Sequence, residues 1–128
     1  MRKFFITLLS AIGLCSSCHA GDDIKTLEPK QFAKAVKADT RAVLLDVRQP
    51  SEYTEGHIAN AVNLDWLSES VFNEGMTKLD KSKTYYVYCR SGRRSHAAAV
   101  KMKAAGFNVV DMKGGILSWT EQDMPVVK

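Results

Sequence analysis

The chain is 128 residues long, 45% hydrophobic and 25% charged, with 18 basic against 14 acidic side chains for a formal charge of +4. Eight Gly, three Pro and no low-complexity run or internal repeat exclude disordered, collagen-like and solenoid readings, and three Cys are too few for a disulfide scaffold. One domain standing on its own packing is the expectation, and so small a charge gives no ground for a nucleic-acid partner.

Arg2 and Lys3 precede an apolar stretch, Phe4 to Leu14, that is too short to cross a bilayer but suits the h-region of a secretory signal. Cys18-His19-Ala20 offers a small-residue cleavage site before Gly21. The expectation is therefore a cleaved signal over 1–20 and a domain over 21–128, exported to the periplasm, with no stable membrane insertion and Cys89 as the one remaining cysteine. A lipid anchor on Cys15 or Cys18 is the alternative, but Leu14 before Cys15 and Cys15 three before Cys18 fit it poorly. Cys15 to His19 also has the C-x-x-C-H spacing of a c-type haem attachment, which cleavage after Ala20 would remove. No cofactor and no metal are expected.

From Ile24 the pattern alternates between strand and helix, as a parallel sheet covered on both faces requires. Ile24 to Leu27 is a short apolar start, and Pro29 opens a helix with Phe32, Ala33 and Val36 on one face. Ala42 to Val47 is a continuous apolar run suited to a strand buried on both sides. Ser51 is expected to cap a short helix over Glu52 to Glu55 that Gly56 ends, and Ala61 to Leu64 to form a second strand. Asp65 then caps a helix with Leu67, Val71 and Phe72 inward. Tyr85 to Tyr88 is β-rich and stops at Cys89. Ser95 to Ala105 is Ala-rich and helical up to Gly106, and Val109 to Met112 is a strand before Gly114-Gly115 and a last short helix through Trp119.

Cys89-Arg90-Ser91-Gly92-Arg93-Arg94-Ser95 joins a strand to a helix. A loop there lies at the carboxyl end of the sheet and the amino end of a helix, where ligands bind in open α/β folds. Converging backbone amides and the helix dipole favour an anion, and the first available is the Cys89 thiolate. Three arginines within five residues act in the same direction. A buried inert cysteine beside a solvated basic turn would leave that clustering of cations unexplained.

The sequence resembles the single-domain rhodaneses, a sulfurtransferase family, and in particular the small exported bacterial ones. The resemblance rests on LLDVRQPSEYTEGHIANAVNL from Leu44 to Leu64, YYVYCRSGRRS from Tyr85 to Ser95 and GGILSWT from Gly114 to Thr120. One departure is Ala59-Asn60 where the family often has Pro-Gly. The resemblance implies an α/β domain with a central five-stranded, mostly parallel sheet and helices on both faces. It also implies a thiosulfate:cyanide-type sulfurtransferase: Cys89 takes the outer sulfur of thiosulfate, releases sulfite, and passes the sulfur from a persulfide to cyanide or to a low-molecular-weight or protein thiol. Arg90, Ser91, Gly92, Arg93 and Arg94 are the expected substrate-binding residues, with Arg94 the best candidate for loop structure and Arg90 and Arg93 for contact with the dianion. The protein is expected to act as a monomer.

Asp46, Arg48 and Ser95 are expected to support the loop. For Asp46 two arrangements stay open, an ion pair with a loop arginine or one with Arg48. His57 invites a Cys-His pair, but loop and helix can stabilise the thiolate without a base, and the family reading makes it structural. Trp119, Tyr85, Tyr86 and Tyr88 read as core, Gly114 and Gly115 as a turn, and Lys25, Lys30, Lys34 and Lys37 as a solvated face. Two other functions compete. A cysteine-dependent phosphatase or arsenate reductase needs C-x5-R, whereas Arg94 lies five after Cys89 and Ser95 six after it. A non-enzymatic persulfide carrier would have the same loop, while a thiol sensor would more often bring a resolving cysteine.

Overall fold

The computed structural model describes residues 23–128. The segment 1–20, with its signal-like pattern and C-x-x-C-H spacing, lies outside the described residues. In chain order the elements are β1 (Lys25–Leu27), α1 (Pro29–Ala38), β2 (Ala42–Asp46), α2 (Pro50–Glu55), β3 (Val62–Asn63), α3 (Glu69–Thr77), β4 (Thr84–Tyr88), α4 (Arg93–Ala104), β5 (Asn108–Met112) and α5 (Gly115–Glu121).

The strands form one sheet in the order β1-β5-β4-β2-β3, and every pairing is parallel. Alternation along each strand divides the core into two layers. Leu44, Tyr86, Tyr88, Val110 and Met112 face Phe32 of α1 and Ile116 and Trp119 of α5. Leu45, Val47, Tyr85, Val87 and Cys89 face Phe72 of α3 and Ala98, Ala99 and Met102 of α4. The alanines of α4 let that helix lie close to the sheet. Each large side chain removed from water contributes about 1.5–3 kcal/mol. The chain leaves β2 towards β3 but leaves β4 towards β5, so the crevice between the carboxyl ends of β2 and β4 is the topological switch point of the sheet. Cys89 is the first residue beyond β4 at that crevice.

Several boundaries differ from expectation for local reasons. The short helix α2 is capped by Gln49, not Ser51: Pro50 takes the first helical position, and the Gln49 N–H donates to Glu52 Oε1 at 3.0 Å in a reciprocal capping box. Gly56 closes it as expected. The strand expected over Ala61 to Leu64 pairs only at Val62–Asn63, because Ala61 N–H is taken by the Ile58 carbonyl in a turn. Asp65 does not cap α3. Its carboxylate closes a turn by accepting from Leu67 N–H at 2.9 Å, and the helix starts after Ser68. That shift rotates Leu67 and Val71 outward, 58% and 50% exposed, while Phe72 stays buried against Trp66. Helix α4 begins two residues before Ser95, at Arg93, with Gly92 in the left-handed region at φ 105°.

Candidate active site

Tyr88 ends β4 with its carbonyl accepting from Val47 N–H at 3.0 Å and its hydroxyl accepting from Ile58 N–H at 3.1 Å, so the strand arrives at the loop rigidly held. Cys89 is 1% exposed, and its Sγ accepts from Gly92 N–H at 3.1 Å. The turn that brings Gly92 back to the sulfur needs its positive φ, which only glycine adopts freely.

Helix α5 shapes the loop from the other side. Ile116 N–H donates to the Cys89 carbonyl at 2.9 Å and Leu117 N–H to the Arg90 carbonyl at 3.1 Å. Both peptides are trans, so drawing the carbonyls to α5 turns the following amides, those of Arg90 and Ser91, away from it. These two, and the amides of Arg93 and Arg94 at the start of α4, donate to no partner among the described residues. The approach is possible because residue 115 is glycine, at φ 61°; a Cβ there would collide with the Cys89 and Arg90 carbonyls. Gly115 does more than make a turn: it seats the loop.

The arginines divide by role. Arg94 forks onto Glu52 at 2.7 and 2.9 Å, tying the first turn of α4 to α2, and the guanidinium holds Glu52 down to about 2. Arg48 forks onto Asp46 at 2.7 and 3.0 Å and donates to the Gly56 carbonyl at 2.7 Å. Of the two arrangements open for Asp46, the pair with Arg48 is the one formed. Arg90 and Arg93 are exposed and pair with no carboxylate among the described residues. Arg90 borders a cleft of about 260 Å³ whose walls include Glu52, Ile116, Leu117 and Val126. Ser91 is exposed, and Ser95, fully buried, has its Oγ 3.3 Å from the Gly92 carbonyl.

His57 is committed elsewhere: its Nδ1 lies 2.8 Å from the Tyr53 carbonyl, its ring stacks on Tyr53 at 3.7 Å, and its backbone bridges Val127. Three neighbours of the loop carry roles not assigned from the sequence. Glu52 fixes Arg94. Gly115 admits the loop backbone. Asp111 on β5 is 3% exposed with no partner for Oδ1, and burial pushes it up to about 6. A charge inside the run Val109-Val110-Asp111-Met112 was a visible anomaly, since a strand buried on both faces rarely carries one.

A family model described as "Rhodanese-like domain" matches residues 28–122. The "Putative sulfurtransferase YtwF" of Bacillus subtilis is 33% identical over 103 residues, which is 80% of this chain and 97% of that protein. A "Sulfurtransferase" of Allochromatium vinosum is 35% identical over 92 residues, covering 70% of this chain and 83% of the relative. The crystal structure of a rhodanese-related protein from Thermoplasma volcanium superposes with a TM-score of 0.72 at 36% identity, over 80% of this chain and 97% of its own.

Proposed function

The chain belongs to the rhodanese-like sulfurtransferases, and from that premise we propose that it moves sulfane sulfur from thiosulfate to a thiophilic acceptor through a persulfide on Cys89. The Cys89 thiolate attacks the outer sulfur of thiosulfate, a new S–S bond forms, and the old one breaks with its electron pair leaving as sulfite. Cyanide, or a thiol, then attacks the terminal sulfur of the persulfide, and the thiolate is regenerated. No external oxidant or reductant enters either half.

The observation that carries this reading is the set of free backbone amides in the loop that bears Sγ. One amide, from Gly92, donates to the sulfur, and four more at the loop and the start of α4 have no acceptor among the described residues. Such donors favour negative charge on the thiolate and equally on the outer sulfur of a persulfide, without reorganising between the two. Arg90 and Arg93, unpaired at the rim, supply charge for attracting and holding a small dianion. With Cys89 only 1% exposed, a narrow terminal sulfur suits the approach better than a bulky phosphoester. The phosphatase alternative also lacks its arginine, since Arg94 is committed to Glu52 in a ring one residue short. We read the signal-like pattern of segment 1–20 as favouring export to the periplasm, with small-molecule or protein thiols as the acceptors.

The test is the initial rate of thiocyanate formation from thiosulfate and cyanide, with both varied. Parallel double-reciprocal lines are expected, with no rate in Cys89→Ala and a raised KM for thiosulfate in Arg90→Ala and Arg93→Ala. Full activity in Cys89→Ala would remove the proposal.

A further inference from the structure

Asp111 is the one buried side chain among the described residues that has a polar atom without a hydrogen-bond partner. Such an atom is costly, and the mechanism above does not use it. It sits opposite Val87 in register, on the face of the sheet that also carries Val87 and Cys89. Two residues along a strand and one strand across put the Cα atoms of Asp111 and Cys89 about 8 Å apart. Above it lies the first turn of α4, where the hydroxyl of the fully buried Ser95 favours the ionised carboxyl and donates to the Gly92 carbonyl at 3.3 Å. A serine has one proton to give and two acceptors here.

We propose that Asp111 is a positioning residue for the sulfur site: a buried acid that sets, through Ser95 and through its own charge, how readily the loop holds a negative charge on Cys89. When neutral, its O–H donates to Ser95 Oγ and the Ser95 proton goes to the Gly92 carbonyl. That fixes the Gly92–Arg93 peptide, whose amide points the opposite way. When ionised, it draws the Ser95 proton to itself, releases the Gly92 carbonyl, and places a second anion near the sulfur. Burial pushes this acid up to about 6, so the change falls in a range where enzymes work. The other groups around Asp111 do not impose this titration. His96 on α4 is exposed and opposes the upward shift, Thr26 of β1 and Val87 of β4 are uncharged, and Lys113, two residues on, is exposed beside Glu28 at 3.6 Å.

The inference rests on Cys89 being the reacting sulfur but does not depend on the donor, so the experiment avoids sulfur donors. Cys89 in the protein is alkylated with iodoacetamide between pH 5 and 8, in wild type and in Asp111→Asn. Access to the thiol is common to both, so the ratio of rates reports the carboxyl. It is expected near one at pH 5, where Asp111 is neutral, and to rise to roughly three- to tenfold in favour of the variant by pH 7.5, where a nearby charge suppresses the thiolate. A ratio that stays flat across that range overturns the proposal. Should the variant fail to fold, the carboxyl carbon of Asp111 is followed by NMR in wild type and Ser95→Ala. Loss of the serine donor is expected to displace its titration to higher pH, and an unmoved titration overturns the proposal equally. If thiosulfate turnover is absent while the alkylation ratio still rises with pH, the sulfurtransferase reading fails and this inference stands.

Discussion

The strand that delivers Cys89 runs between two strands that each bring an aspartate under the site, and the two acids are treated in opposite ways. Asp46, on β2, is fully buried and answered completely: Arg48 forks onto it, its own loop amide at Arg48 donates at 2.9 Å, and Asn63 fastens the neighbouring carbonyls of Asp46 and Arg48. Asp111, on β5, is 3% exposed and its Oδ1 has no hydrogen-bond partner, with the Ser95 hydroxyl, His96 and the Met112 amide only partly offsetting its burial. On the β2 side, polar bonds hold the loop's surroundings in one arrangement. Elsewhere the loop is held by two backbone hydrogen bonds from α5 and the close approach Gly115 allows, and on the β5 side an acid is left able to change its charge. A rigid flank and an adjustable one thus meet at a single sulfur.

The largest effect is expected from breaking the rigid flank. Arg48→Ala leaves Asp46 buried and uncompensated, which costs about 3–5 kcal/mol, seen as a much lower urea midpoint. The adjustable flank should respond with the opposite sign. The Asp111 carboxyl titrates near 6 when folded against an ordinary 3.8, so the fold binds its proton more tightly than the unfolded chain does. Its contribution to stability is complete below about pH 4 and is lost as pH rises through 6. Asp111→Asn should therefore stabilise the protein at pH 8, by at most about 3 kcal/mol, with the gain gone at pH 4. Urea denaturation at the two pH values checks both sign and window.

Smaller losses of stability are expected where the loop meets its helices. Gly115→Ala puts a Cβ against the Cys89 and Arg90 carbonyls at a positive φ, a strain of about 1–3 kcal/mol. Because that strain is relieved by moving the loop, activity in thiocyanate formation should fall far more than stability does. Glu52→Gln weakens the fork to Arg94 and is expected to cost about 1 kcal/mol near neutral pH. Glu52 is held down from 4.5 to about 2, so in wild type this support is complete above about pH 5 and is lost progressively as pH falls from there through about 2. The variant should show no such loss.

How much of this was legible in the sequence follows from how local each determinant is. The strand–helix alternation and the loop from Cys89 to Ser95 are written in contiguous residues, and the all-parallel sheet follows from that alternation. Helix starts were harder, because a cap depends on which polar side chain reaches back: Gln49 with Glu52 outcompeted Ser51, and Asp65 spent its carboxylate on a turn. The Glu52–Arg94 pair joins residues 42 apart in the chain and has no local signature. Gly115 was visible only as a turn residue, since the backbone it admits belongs to another element. Asp111 was visible as a charge in a buried run, but what it faces depends on strand register. The Asp46–Arg48 pair lay between two readings because Asp46 ends β2 and Arg48 lies two residues beyond it, both at the sheet edge that carries the loop, and only the three-dimensional path showed Arg94 already engaged by Glu52.

The most direct measurement is the intact mass of the protein before thiosulfate, after it, and after subsequent cyanide, alongside Cys89→Ala. The account predicts a gain of one sulfur on the wild type, discharged by cyanide and absent from the variant. A reduced, unmodified Cys89 after thiosulfate, or a sulfur gained equally by the variant, would contradict it.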